Sequence, residues 1–363
     1  MKYLLLATTA VLVFANLPRA DAASAPKVVT SDTETQKNVV TTQTTAATTS
    51  AVTSQVSNGV GAAVSPALSS GAGFASTAPT EGVAPNGTTS FSSRALSGEA
   101  AGEAAGGDAQ RFGTWVQISN TWVKNTDAGG TYDGTSTAAT VGFDYRISQG
   151  VILGMALGAD ELDVQTTYND GTFAGNGYSV IPYIGFSFAD RWIFTGLMSL
   201  TDVKYETTSN NGGTTGSFHA KRFSASGVVE GNYPVGDFTV YPHVGAFYMR
   251  ESQDGFTDSS GTAIAAADVD LGRASGGATV GYNLGMVEPF VRAFAEYDFV
   301  NEDEVALTGG RFSSNDKFGI NAGTGLKFTI SDNLSGRFEA DAGSLLRDNL
   351  DTYTVAGSLR FTW

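Results

Sequence analysis

Tyr353-Thr-Val-Ala-Gly-Ser-Leu-Arg-Phe-Thr-Trp363 is the stretch whose reading decides the fold. Taken at every second residue, Tyr353, Val355, Gly357, Leu359, Phe361 and Trp363 share one face. Thr354, Ala356, Ser358, Arg360 and Thr362 share the other. A strand sends successive side chains to opposite faces, so this is a strand with one apolar and one polar side. As the last strand of a soluble sandwich it would leave an unpaired edge, which invites aggregation. In a closed membrane barrel it pairs with the first strand and no edge remains.

The same alternation runs back to Arg111. Twelve amphipathic runs are predicted as strands: 111–123, 137–147, 151–164, 177–188, 192–206, 217–233, 238–250, 270–282, 287–300, 316–330, 334–346 and 351–363. The number is even, and most runs reach the roughly 9–11 residues that cross a tilted bilayer. In the ninth, Val287, Val291, Ala293, Ala295, Tyr297 and Phe299 oppose Glu288, Arg292, Glu296 and Asp298. In the second, Val141, Phe143, Tyr145 and Ile147 oppose Thr140, Asp144 and Arg146. The fifth, from Trp192, fits neither register well. Connections alternate between short turns, such as Ser148-Gln-Gly150 and Ala189-Asp-Arg191, and longer polar loops at about 125–136, 166–176, 207–216, 251–269 and 301–315. Short turns at one end and long loops at the other describe an up-and-down meander of the outer-membrane kind.

Periodicity alone does not say which face points outward. Three features favour an all-β transmembrane antiparallel barrel over a soluble sandwich with Phe361 and Val291 in a dry interior. The polar faces carry charges of both signs, which suits a wet channel. Aromatic residues fall near strand ends, where an interfacial girdle would place them. An export signal precedes the whole. Lys2 is a basic n-region, residues 3–17 are mostly apolar, and Ala20-Asp-Ala22 is a small-residue cleavage site, so residues 1–22 read as a signal peptide cut after Ala22.

Residues 23–91 are rich in Thr, Ser, Ala and Gly, as in Thr41-Thr-Gln-Thr-Thr-Ala-Ala-Thr-Thr-Ser50. Such a stretch buries too little apolar surface to offset its ordering entropy and is expected to be disordered, as a short passenger or a spacer. Residues 92–110 favour helix through Ala and Glu, though each Gly costs about 1 kcal/mol. They form either a helix enclosed in the pore or a flexible linker. Residues 111–363 are the barrel domain. No later run approaches the length of a transmembrane helix.

The 363 residues include 45 glycines and only 16% charged residues. Twenty-one Lys and Arg against 36 Asp and Glu give a net charge of −15, which argues against nucleic acid as a partner. There is no cysteine, so disulfide scaffolds and thiolate metal sites are excluded. Two histidines, His219 and His243, lack the neighbours a zinc site needs. No G-x-S-x-G elbow and no P-loop occurs. His219 near the outer rim, with Asp202 on the adjoining strand, reads as a solvated residue before it reads as a protease pair. No catalytic residue, cofactor or metal is expected. Asp144, Arg146, Arg222, Glu230, Arg273, Arg292, Glu296, Arg337 and Glu339 are the candidate pore-lining residues. They would either line a pore or hold a plug, or merely hydrate the interior. An Arg facing lipid at midplane would cost about 2–4 kcal/mol.

The segment Val141-Gly-Phe-Asp-Tyr-Arg-Ile-Ser148, followed by Val151-Ile-Leu-Gly-Met-Ala-Leu-Gly158, resembles the start of an autotransporter β-domain. Gly177-Tyr-Ser-Val180 with Tyr183-Ile-Gly185 and Trp192 is similar to its next hairpin, and Leu359-Arg-Phe-Thr-Trp363 to its terminal assembly signal. The resemblance spans about 111–363. It implies a twelve-stranded type V secretion barrel in the outer membrane, with a helix threading the pore and an N-terminal passenger anchored or translocated. It implies as partners the outer-membrane lipids, the barrel-assembly machinery reading Tyr353, Val355, Leu359, Phe361 and Trp363, and periplasmic chaperones, with a monomeric barrel. The chain departs from the pattern in having only about 23–90 as passenger and no Asn-Asn pair at the helix; Asn210-Asn211 falls in a loop. A small porin-like channel and an adhesin acting through 251–269 and 301–315 are the rival readings.

Overall fold

The computed structural model describes residues 27–28, 36–40, 44–45, 49, 56–57, 60, 111–126, 130–148, 150–189, 191–300, 305–306 and 316–363. The signal sequence, with Ala20 and Ala22, and the whole of 92–110 lie outside them.

Twelve strands form the wall: β1 (Phe112–Asn125), β2 (Tyr132–Ser148), β3 (Val151–Thr166), β4 (Gly171–Phe188), β5 (Trp192–Ser209), β6 (Thr214–Gly231), β7 (Phe238–Gln253), β8 (Ala267–Tyr282), β9 (Val287–Val300), β10 (Phe318–Ser331), β11 (Leu334–Leu345) and β12 (Leu350–Thr362). Each pairs antiparallel with the next, and β12 closes on β1 from Leu350↔Asn125 to Thr362↔Gly113. The seam is completed by reciprocal backbone bonds between Phe112 and Trp363, at 3.0 and 2.9 Å.

Burial settles which way the faces point. On β1 the exposed set is Phe112, Val116, Ile118 and Trp122, while Trp115, Gln117, Ser119 and Thr121 are buried. Val291 is 60% exposed and Phe361 44%. Large apolar side chains turned outward and hydroxyls turned inward reverse the rule for a protein in water. Lipid is therefore the outer solvent, and the sandwich is excluded. Trp122 lies ten residues beyond Phe112 on the same face. At about 3.4 Å per residue and a tilt of about 40°, that is a belt of ~26 Å, close to the ~25 Å apolar band of such barrels. Aromatics rim it: Phe112, Tyr145, Phe361 and Trp363 at the short-turn end, Trp122, Tyr178 and Tyr353 toward the other.

Beyond the belt, on the long-loop side, the polarity inverts. On β3, Leu162 and Val164 point inward and are buried, while Glu161, Asp163 and Gln165 point out. On β5, Val203 and Tyr205 are inward and Asp202, Lys204 and Glu206 outward. There the wall stands in water and follows the ordinary rule. This inversion corrects two expectations. The strands are longer than the apolar pattern indicates: β4 begins at Gly171, and the β5–β6 connection shrinks to a tight turn in which Asn210 and Asn211 adopt the left-handed region. The fifth strand has two causes of poor alternation: Val203 and Tyr205 belong to the inverted stretch, while Ile193 and Leu197 at the short-turn end face inward in one cluster with Val56 and Val60.

Within 23–91, where disorder is expected, the few described residues are ordered. Gln36–Val40, Thr44, Thr45, Thr49, Val56, Ser57 and Val60 are helical. All of these whose burial is described are buried except Ser57, which is half-buried. They lie inside the barrel. Val40 belongs to an inner cluster at the long-loop end with Val123, Tyr132, Leu162, Val164, Phe173 and Phe218. Val56 and Val60 join Trp115, Ile152, Ala156, Ile181, Tyr183 and Ile193 at the short-turn end. Enclosure by a prebuilt wall supplies the burial that the segment's own composition does not.

Candidate functional site: the barrel lumen

Inward-facing side chains divide the lumen into two walls. From β1 to β6 the inner face is largely neutral: Gln117, Ser119, Thr121, Ser136, Thr140, Ser179, Thr195, Ser199 and Thr201 are all buried. The N-terminal residues lie against this side. The Thr45 hydroxyl is 3.3 Å from that of Tyr205, and Val56 and Val60 cluster with Trp115, Ile152 and Ile181, while Thr49 donates to the Met249 sulfur of β7 at 3.4 Å at the margin of that side. From β8 to β11 the inner face is ionic and half-buried. Arg292 reaches Asp341 at 2.5 Å and Glu339 at 3.2 Å, and Arg337 holds the same Glu339 at 2.6 Å. Nearby, Lys327 donates to Glu288 at 2.9 Å and lies 3.6 Å from the Tyr241 ring centroid. Toward the long loops, Arg273 meets Glu296 at 3.2 Å and Asp298 at 2.6 Å, with Arg347 on the same Asp298.

Two charged networks interrupt the neutral wall. In the first, Arg222 donates to Glu251 at 2.8 Å and to Tyr205 at 3.0 Å, and its guanidinium lies 3.9 Å from Asp160. Glu251 is fully buried. In the second, Arg360 of β12 grips Asp144 of β2 through bonds of 2.6 and 2.9 Å. Tyr183 donates to that carboxylate at 3.1 Å and accepts from the Trp115 indole at 2.9 Å. β2 and β12 flank β1, so the ion pair must cross it. It does so at Gly113, where a Cβ would collide with both partners. Gly142, on the neighbouring strand β2, serves the same purpose by leaving room for the Trp115 ring.

All nine sequence-selected charges thus project from inner-face positions, in separate groups rather than as one ring. Asp144 is joined with Arg360, and Arg146 feels both their charges. Arg292, Arg337 and Glu339 form one group, with Glu230 close enough to feel Lys327, Arg337 and Arg292. Arg273 and Glu296 form another, and Arg222 stands in its own. Their partners Glu288, Asp298, Asp341 and Arg360 fall on the polar faces of the predicted strands but are not among the nine, and Asp160 and Glu251 have no place in the sequence prediction. Strand parity reaches Asp160 as well, whereas Glu251 becomes legible only once the strand is known to run to Gln253.

His219 and Asp202 lie on the outer surface, both well exposed and 4.0 Å apart. His243 faces inward, stacks near Phe294 at 4.5 Å and sits 3.4 Å from the Ser275 hydroxyl. Among the described residues no group of three or more His, Asp or Glu could hold a metal ion.

The family model for the autotransporter β-domain matches residues 114–341. The chain belongs to that family. The autotransporter β-domain is an outer-membrane translocator barrel, and the fold agrees. The translocator domain of the Neisseria meningitidis autotransporter NalP aligns with a TM-score of 0.59 at 15% identity, over 70% of this chain and 90% of that one. The transport unit of Escherichia coli AIDA-I gives 0.58 at 15% identity, covering 71% and 92%. The β-domain of Bordetella BrkA gives 0.57 at 14%, covering 70% and 100%. At such identities the likeness is one of fold. A curated relative, an uncharacterized protein in the trpE-trpG intergenic region of Pseudomonas putida, is 26% identical over 186 residues. Those residues are 48% of this autotransporter chain and 31% of the relative, so the chain spans about a third of the relative's length.

Proposed function

We propose that this β-domain resides in the outer membrane and holds its own N-terminal segment across it, presenting the residues before Gln36 at the cell surface. The observation that carries this is the placing of one continuous segment at both ends of the lumen. Gln36 sits at the long-loop end, donating to Thr166 at 2.6 Å and to the Thr208 carbonyl at 2.7 Å. Val60 sits at the other end against the short-turn cluster. In barrels of this class the short turns are periplasmic and the long loops extracellular. The chain then emerges outward before Gln36, where Lys27–Val28 pairs in parallel with Val305–Ala306 of the β9–β10 loop.

Export by the signal at 1–22 brings the chain to the periplasm in this reading. The outward face of Tyr353, Val355, Leu359, Phe361 and Trp363 is what the assembly machinery engages, with chaperones guarding the unpaired strands beforehand. The lumen charges hydrate the interior and brace the segment. An epitope inserted before Gln36 tests the proposal in intact cells treated with protease. Its removal, with the barrel left whole, is expected. Survival of the epitope in intact cells, and loss only after lysis, refutes surface presentation.

A further inference from the structure

We infer that Lys37 is a stop residue: it fixes the register at which the N-terminal segment comes to rest in the barrel. The inference rests on the proposed passage of that segment through the lumen.

A passing chain of small neutral residues has no register of its own. Lys37 is the one charged residue between Glu34 and Glu81. A shift by one helical turn would mostly exchange Thr, Ala and Val for one another against the hydroxyl-lined wall. One residue with different requirements breaks that degeneracy.

Lys37 has such requirements, and the long-loop rim meets them. Its side chain is 1% exposed. The ammonium donates to the backbone carbonyls of Asp254 at 2.9 Å and Ala265 at 2.6 Å. It also lies 5.0 Å from the Phe218 ring centroid and 5.9 Å from that of Phe256, within reach of a cation–π attraction. The two carbonyls belong to opposite ends of the β7–β8 loop, which is itself fixed. Its strands Phe256–Thr257 and Ala263–Ile264 pair as a hairpin. Phe256 stacks on Phe218 at 5.2 Å, and Ser259 donates its backbone N–H to the Thr215 carbonyl at 2.8 Å. Asp258 accepts from the N–H groups of Ser260 and Thr262, both at 2.9 Å. Next to Lys37, Gln36 also accepts from the Thr207 hydroxyl, so the pair ties the segment to β3, β5 and the β7–β8 loop at once.

Displacement in either direction forfeits these contacts. Outward, the ammonium exchanges the carbonyls and rings for water. Inward, it leaves them for the cluster around Val40, where the Tyr205 hydroxyl and Glu251 are already engaged by Arg222. The resting register is therefore the one in which both carbonyls and both rings are met together.

The chain contains no cysteine, so introduced pairs report position cleanly. Thr49→Cys with Met249→Cys reports the resting register, and Thr45→Cys with Met249→Cys a register one turn away. Linked peptides are quantified by mass spectrometry after oxidation of intact cells, with heat-modifiable mobility confirming a folded barrel. Lys37→Met is expected to lower the first yield relative to the second by about ten-fold, equivalent to about 1.4 kcal/mol. A fall of both yields on a folded barrel also supports the stop, since the segment is then no longer retained. Unchanged yields in Lys37→Met overturn it. Failure of both pairs to link even with Lys37 present, together with a protected epitope before Gln36, instead removes the proposed passage on which the inference depends.

Discussion

The ion pair between Asp144 and Arg360 gives a sharp quantitative test, because it ties the last strand to the second across the first. Both side chains are buried, joined by bonds of 2.6 and 2.9 Å, and Asp144 takes a further bond from Tyr183. Arg360→Met leaves the carboxylate buried with the guanidinium gone. Breaking a buried pair from one side costs about 3–5 kcal/mol, because the remaining charge is uncompensated. Asp144→Leu is expected to cost a similar amount by stranding Arg360. The double variant removes both charges and leaves two apolar chains over Gly113, so its loss should be within about 1–2 kcal/mol of the native protein, most of it the bond from Tyr183. The double-mutant cycle should therefore give a coupling of at least ~4 kcal/mol. The assay is urea unfolding of the barrel refolded in lipid vesicles, followed by heat-modifiable mobility. Single variants that each lose less than ~1 kcal/mol, with additive effects in the double, refute the reasoning.

Other expectations concern separate regions of the molecule. Val291→Arg places a cation on the lipid face and should cost about 2–4 kcal/mol in the same unfolding assay, whereas Asp163→Asn, on the wall beyond the belt, should change little. Glu251→Gln removes the carboxylate that pairs with Arg222 at 2.8 Å and should destabilise by about 3–5 kcal/mol; a loss below ~1 kcal/mol counts against a structural role for that network. Trp363→Ser removes the ring stacked 6.2 Å from Phe112 at the seam and is expected to lower the folded fraction in isolated outer membranes, and normal insertion contradicts this. Deleting residues 36–60 should raise single-channel conductance in planar bilayers, since the described residues among them lie inside the barrel; equal conductance before and after argues that they do not obstruct it.

The wall was legible because the bilayer imposes a strict alternation. Val141, Phe143, Tyr145 and Ile147 must meet lipid while Thr140 and Asp144 must not, and that pattern is written residue by residue. It became illegible where the environment changed along a strand. Beyond the belt, Leu162 and Glu161 exchange the faces that such residues hold lower down, so a single rule misplaces the strand ends. The lumen segment was hidden for another reason. Thr44, Thr45 and Thr49 carry neither strong helix propensity nor much hydrophobicity. They are ordered by a surface that belongs to distant stretches of the chain, and no local signal encodes that. One faint sign existed. From Asn38 to Thr80 there is no Asp, Glu, Lys, Arg or His, in a protein otherwise well supplied with charge. Parity could likewise have paired Asp144 with Arg360, but only after recognising that Gly113 leaves the path between them open.

The inverted stretch of wall has a bearing on anything that approaches from outside. On β5 the outward face turns from Leu200 to Asp202, and the strand continues to Ser209. Nine residues at about 3.4 Å, with a tilt of ~40°, make a stiff turret standing ~23 Å above the lipid boundary. Its mouth, with Lys37 in it, is thereby lifted clear of the headgroups. A visitor to that opening meets a hydrogen-bonded parapet of polar side chains before it meets membrane.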